Sequence, residues 1–123
     1  MRRVLVVDAA NVVGATPNGW WNDRAGAALK LHEQLLTADV IHDDVVLVLE
    51  GQAKAAVRPG KDAHVRTVHA PRDGDAAIVK AAQQAADAGA EVTVVTADRA
   101  LAARVAGVGA AVMSPSWLLD HLH

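Results

Sequence analysis

Val4 to Val7 is an unbroken apolar run that halts at Asp8, and the pattern returns at Val45 to Leu49, which halts at Glu50. Short runs without polar alternation are expected of strands covered on both faces. Between them, Ala28, Leu31, Leu35 and Leu36 recur at helical spacing while Lys30, Glu33 and Gln34 fall elsewhere, which predicts a helix from about Asp23 to about Thr37 with one buried stripe. The stretch from Asn11 to Asn22 carries Gly14, Pro17, Asn18 and Gly19 and reads as a loop.

Beyond Glu50, Gly51, Pro59 and Gly60 surround a helical turn expected at Gln52 to Ala56. His64 to Val68 then alternates as a third, less buried strand at the sheet's edge. Pro71 and Asp73-Gly74-Asp75 lead into a long Ala-rich helix that runs to about Ala88 and stops at Gly89. Glu91 to Val95 is the fourth strand, Leu101 and Val105 mark a helix opened at Thr96, Ala110 to Met113 is the fifth strand, and Ser114-Pro115 starts a terminal helix. Strands alternating with helices imply right-handed crossovers and an α/β fold, a three-layer α/β/α sandwich around a mainly parallel five-stranded sheet.

Composition narrows the interior and the chemistry. The 123 residues form one domain, 1–123, and although 52% are apolar there is no Phe, Tyr or Cys. The core is therefore expected to be Val, Leu, Ile and Ala in close helix-on-sheet packing. Without cysteine there is no disulfide, no thiolate metal site and no Cys nucleophile, so a metal must be held by oxygen or imidazole. The apolar run after Met1-Arg2-Arg3 is too short for a signal peptide, and no stretch is long enough for a membrane span. A cytoplasmic location is the expectation. The formal charge of −2 is uneven: between Glu50 and Arg72, five cations (Lys54, Arg58, Lys61, Arg66, Arg72) face two acids (Glu50, Asp62).

Acids recur where such a sheet binds ligands. In open parallel sheets the cleft lies beyond the C-terminal strand ends, and Asp8, Glu50 and Asp98 all follow strands, while Asp73 and Asp75 open the helix before the fourth. Neighbouring strands lie about 4.8 Å apart, close enough for their terminal carboxylates to share an ion. Clustered carboxylates raise one another's pKa and call for a cation. Mg or Mn suits hard oxygen ligands, and one or two such ions activate water and stabilise the leaving oxygen in phosphodiester hydrolysis. Asp23, Asp73, Asp75 and Asp98 also sit where helix caps and first-turn acids belong, so each has a structural use of its own. Asp8 has no such alternative, since an acid placed directly after buried aliphatics is desolvated at a cost.

Val6-Val7-Asp8-Ala9-Ala10-Asn11, Gly74-Asp75-Ala76-Ala77-Ile78 and Val94-Val95-Thr96-Ala97-Asp98 resemble, in order and spacing, the three acidic motifs of the NYN-domain branch of PIN-like nucleases. The resemblance implies strand order 3-2-1-4-5 and metal-dependent RNA cleavage. It makes Asp8, Asp75 and Asp98 catalytic metal-binding acids, puts Glu50 in the place of the acid after strand two, and gives Asn11 a supporting catalytic role. Asp73 is an extra acid able to add a ligand. Ala9 stands where many relatives carry Gly, and Glu50 is longer than the Asp often found there.

An RNA with unpaired regions is the expected partner. Trp20 and Trp21 adjoin the first loop and are candidates to stack on bases, each for about 1–3 kcal/mol. Arg24, Lys54, Arg58, Lys61 and Arg72 are candidates for the RNA backbone. A second copy of the chain is left open as a partner, and a membrane is not expected. Of the six histidines only His69 is placed to approach the acidic edge. Ser114 reads as a helix cap. The competing functional class is a catalytically inactive PIN-like module that binds RNA or protein. A receiver domain would need Asp after strand three and Lys after strand five, where His69-Ala70 and Ser114-Pro115 stand, and a haloacid-type phosphatase would need Asp in place of Ala10.

Overall fold

The structure is a computed structural model and describes residues 1–15 and 22–122. Strand β1 (Arg3–Asp8) runs without a linker into helix α1 (Ala9–Gly14). Helix α2 (Arg24–Thr37) leads to β2 (Asp44–Leu49), a 3-10 helix (Gly51–Ala55), β3 (Gly60–Asp62) and β4 (Val65–His69). Then come α3 (Gly74–Asp87), β5 (Glu91–Val95), α4 (Arg99–Ala106), β6 (Ala111–Met113) and α5 (Pro115–His121). Among the described residues no helix is long and apolar enough to cross a membrane.

The sheet has six strands in the order β3-β4-β2-β1-β5-β6, which corrects the expected five-stranded sheet of order 3-2-1-4-5. The difference lies in β3, which pairs antiparallel with β4 and covers the edge that His64 to Val68 was expected to form. All other pairings are parallel. Its three residues are all exposed, so β3 is held by its backbone ladder and had no apolar pattern to announce it. A second correction is α1. Only Ala9 and Val12 of its six residues are buried, too few to produce a helical period in the sequence.

The alternation of side chains along the central strands builds two cores. Leu5 and Val7 of β1, with Val45, Leu47 and Leu49 of β2, pack against Val12, Ala28, Leu31, Leu35 and Leu118 from α1, α2 and α5. Val4, Val6, Val48, Val92 and Val94 pack on the other face against Ile78, Ala82, Leu101 and Val105 from α3 and α4. The result is a three-layer sandwich with β1 paired on both sides at its centre. Asp23, Asp73, Asp98 and Ser114 cap α2, α3, α4 and α5 through their side chains, each satisfying an N–H left open by the helix start.

Candidate functional site

The same alternation explains why oxygen-bearing side chains meet at one edge. A strand residue shares its face with the residue two positions before it. The rows Val4-Val6 and Val92-Val94 face α3 and α4. Continued by one step they reach Asp8 and Thr96, both buried. In β2, Val46 and Val48 point the same way, and the next step is Glu50. The three rows therefore end in polar groups beneath the N-termini of α3 and α4, where Asp75 and Asp98 lie.

Asp8 is only 4% exposed. Its Oδ2 accepts from Asn11 Nδ2 at 2.6 Å and from Thr96 Oγ1 at 3.0 Å. Asn11 Oδ1 accepts the Ala97 N–H at 3.2 Å, which fixes the orientation of the amide, because each of its ends has a partner of only one kind. Thr96 Oγ1 in turn accepts the Asp98 N–H at 3.1 Å, and Asp98 Oδ1 accepts the Leu101 N–H at 3.0 Å. One connected network thus joins β1, α1 and the β5–α4 turn. Burial pushes the Asp8 carboxyl above its ordinary range; the hydrogen bonds from Thr96 and Asn11 oppose this, and the nearby charge of Glu50 adds to it.

Glu50 Oε2 accepts the Gly74 N–H at 2.7 Å, tying the end of β2 to the first turn of α3. Asp73 Oδ1 accepts the Asp75 N–H at 3.0 Å. The Asp75 carboxyl is also raised, first by burial and then by the charges of Asp98 and Asp73, with Arg104 opposing. Two groups of acids therefore repel: Asp8 with Glu50, and Asp75 with Asp98 and Asp73. Among the described residues, no three carboxylate or imidazole side chains converge as a ready-made metal cage. The donor set at this edge is all oxygen and carries excess negative charge, which fits a hard divalent cation that keeps part of its water shell.

A cleft of about 420 Å³ opens beside these acids, lined by Ala9, Ala10 and Val13 of α1, Arg24 and Ala28 of α2, Glu50, Gly51 and Ala53, and Arg72 and Asp73. The cations proposed for RNA separate accordingly. Arg24 and Arg72 line this cleft. Lys54 donates to the Ala70 carbonyl at 3.0 Å and braces the 3-10 helix against the β4–α3 connection. Lys61 lies 3.9 Å from Asp44, at the start of β2 and so at the opposite end of the sheet from the acids. Arg58 is exposed beside Val57. The Val57 carbonyl accepts from His69 Nε2 at 2.7 Å, so His69 serves the fold and not the acidic edge. Trp20 and Trp21 lie outside the described residues.

The YacP-like NYN domain family matches residues 5–123. The chain belongs to that family. NYN domains are in general nucleases. Among solved structures, the chain is similar to Rae1 (YacP) from Bacillus subtilis, crystallised as a tryptophan-to-leucine variant. The TM-score is 0.78 and the identity 21%, and the match covers 99% of this chain and 75% of the other. No match was found among curated proteins. At that identity the likeness of this NYN domain to Rae1 is one of fold.

Asp8, Asn11, Glu50, Asp75 and Asp98 are expected from the sequence; Thr96 as the partner of Asp8 and Gly74 as the partner of Glu50 are not. The signal for Thr96 was present: Val92-Val94-Thr96 repeats the spacing of Val4-Val6-Asp8.

Proposed function

We propose that this NYN domain is a divalent-metal-dependent ribonuclease that hydrolyses phosphodiester bonds of RNA with unpaired regions. The observation that supports it most is the run of three strand rows, Val4-Val6-Asp8, Val46-Val48-Glu50 and Val92-Val94-Thr96, ending in oxygen donors beneath the N-termini that carry Asp75 and Asp98. Asp8, Asp75 and Asp98 would hold the ion, with Glu50 and Asp73 flanking them. Bound there, Mg or Mn supplies Lewis acidity at the phosphoryl oxygens and a lowered pKa for attacking water.

The chain's own residues supply orientation and charge. Asn11 and Thr96 hold one oxygen of Asp8 in place, so its carboxylate does not reorganise when charge develops nearby. Glu50 locks the first turn of α3, and with it Asp75, to the end of β2. Arg24 and Arg72 offer guanidinium groups to phosphate on the α1–α2 side.

The second reading, a non-cutting RNA- or protein-binding module, draws on the absence of three convergent ligands among the described residues. The test is cleavage of single-stranded and structured RNA with Mg, with Mn and with chelator, using wild type, Asp8→Asn and Asp98→Asn. Asn is a good N-cap, so Asp98→Asn keeps the start of α4 while removing its charge. Metal-dependent cleavage lost in both variants supports the nuclease. RNA binding without cleavage by wild type supports the module.

A further inference from the structure

The cleft between α1 and α2 has a composition that the acidic edge does not explain. Its floor is small and apolar: Ala9 and Ala28 are buried, and Val13 and Ala53 half-buried. Four charged residues line it as well, Arg24, Arg72, Glu50 and Asp73. A volume of about 420 Å³ falls within the roughly 300–1,000 Å³ typical of small-ligand sites. Apart from the charged residues, its described lining is alanine, valine and glycine.

We propose that this cleft is a subsite for one unpaired nucleotide of the RNA strand, adjoining the phosphate held at the acidic edge. The proposal rests on the ribonuclease reading and adds to it where a base sits and why it must be unpaired. The nucleotide's phosphate lies against Arg24 and Arg72, whose planar forks match phosphate oxygens. Its base lies on the alanine floor. The strand passes by way of Ala10, which lines both this cleft and a second one bounded by Asn11, Ala97 and Ser114. A base already stacked and paired in a duplex has its face and edge occupied and does not enter.

Binding is measured in chelator, so that cleavage plays no part, by fluorescence anisotropy of a short dye-labelled single-stranded RNA and of the same strand annealed to its complement. The proteins are wild type, Arg72→Ala, Ala10→Phe, Ala53→Leu and Lys61→Ala. Single-stranded binding is expected to weaken by roughly tenfold in Arg72→Ala, as for a lost charge-assisted contact, and comparably when either apolar substitution fills the cleft. Lys61→Ala should bind as wild type does, and the duplex should bind more weakly than the single strand. Wild-type binding by Ala10→Phe and Ala53→Leu with unchanged circular dichroism overturns the subsite, as does equal affinity for duplex. The two readings fail separately: normal binding in the cleft variants beside metal-dependent cleavage by wild type removes the subsite alone. Lost binding in them, with no cleavage by wild type under Mg or Mn, removes the nuclease alone.

Discussion

Thr96 donates its hydroxyl to the same Asp8 oxygen that Asn11 holds, at 3.0 Å and across 88 positions of sequence. The same hydroxyl oxygen accepts the N–H of Asp98. Thr96→Val keeps the shape but removes both interactions, leaving the Asp98 N–H without its acceptor. The expected loss is about 1–3 kcal/mol of stability, measured by urea unfolding, while Thr96→Ser retains most of it. Metal affinity should fall further in the valine variant, because Asp8 then lacks a donor that favours its charged form.

Asp8 makes the metal-free protein less stable once the pH rises past the ordinary carboxylate range. Burial raises its folded-state pKa above the unfolded value. Between the two pKa values the native state binds more protons than the unfolded one, so stability falls as pH rises through that window and stays lowered above it. Asp8→Asn removes this term. In chelator, melting temperatures should show the variant gaining on wild type from about pH 4 upward, while added Mn should raise the wild-type value and leave the variant unchanged. A variant less stable than wild type at neutral pH in chelator would refute the assignment.

Glu50 separates structure from charge. Glu50→Gln retains an oxygen for the Gly74 N–H and is expected to fold normally but bind divalent ion more weakly. Glu50→Ala leaves that N–H open and should cost about 1–3 kcal/mol. Isothermal titration with Mn and chemical denaturation of both variants give the two readouts.

Gly74 itself tolerates a methyl group. A Cβ there would meet Ile78 Cδ1 at 3.7 Å and Glu50 at 3.8 Å, ordinary contacts. Gly74→Ala should therefore be neutral or stabilising, by up to about 1 kcal/mol through the unfolded chain, with metal-dependent cleavage retained. Gly26 behaves differently: a Cβ there collides with the Asp23 carboxylate that caps α2. Losing that cap in Gly26→Ala costs about 0.5–2 kcal/mol, and thermal melts distinguish the two alanine variants.

Lys61 is a control for the basic residues. Its ion pair with Asp44 is long and exposed, at 3.9 Å, and such pairs contribute about 0–1 kcal/mol. Lys61→Ala should leave cleavage rates and stability near wild type, whereas Arg72→Ala lowers cleavage at limiting RNA.

The strands were legible in sequence where burial on both faces made them continuous, as in Val4 to Val7, Val45 to Leu49 and Glu91 to Val95. The caps were legible too, because Asp23, Asp73 and Ser114 are side chains that close a helix start. β3 was not, since Gly60, Lys61 and Asp62 are all exposed and pair by backbone alone. Helix α1 was masked by its shortness and by the turn formers after it. At the site, acids at strand ends were visible as an order of residues, but their pairing was not. That Asp8 sits nearer Glu50 electrostatically, and Asp75 nearer Asp98, depends on how α3 and α4 lie over the sheet. Lys54 and His69 could be given a correct place only with the carbonyls they bond in view.

β1 is paired on both sides and passes into α1 with no linker after Asp8. The proposed metal site therefore shares residues with the middle of the domain, while the α1–α2 cleft is lined by the exposed Ala10, Arg24 and Arg72. Adaptation can proceed at two speeds. Selection for a different RNA in the laboratory should collect its changes around the cleft at little cost in folding, and changes at Asp8, Asn11 or Thr96 should surface only together with compensating mutations elsewhere in the sheet.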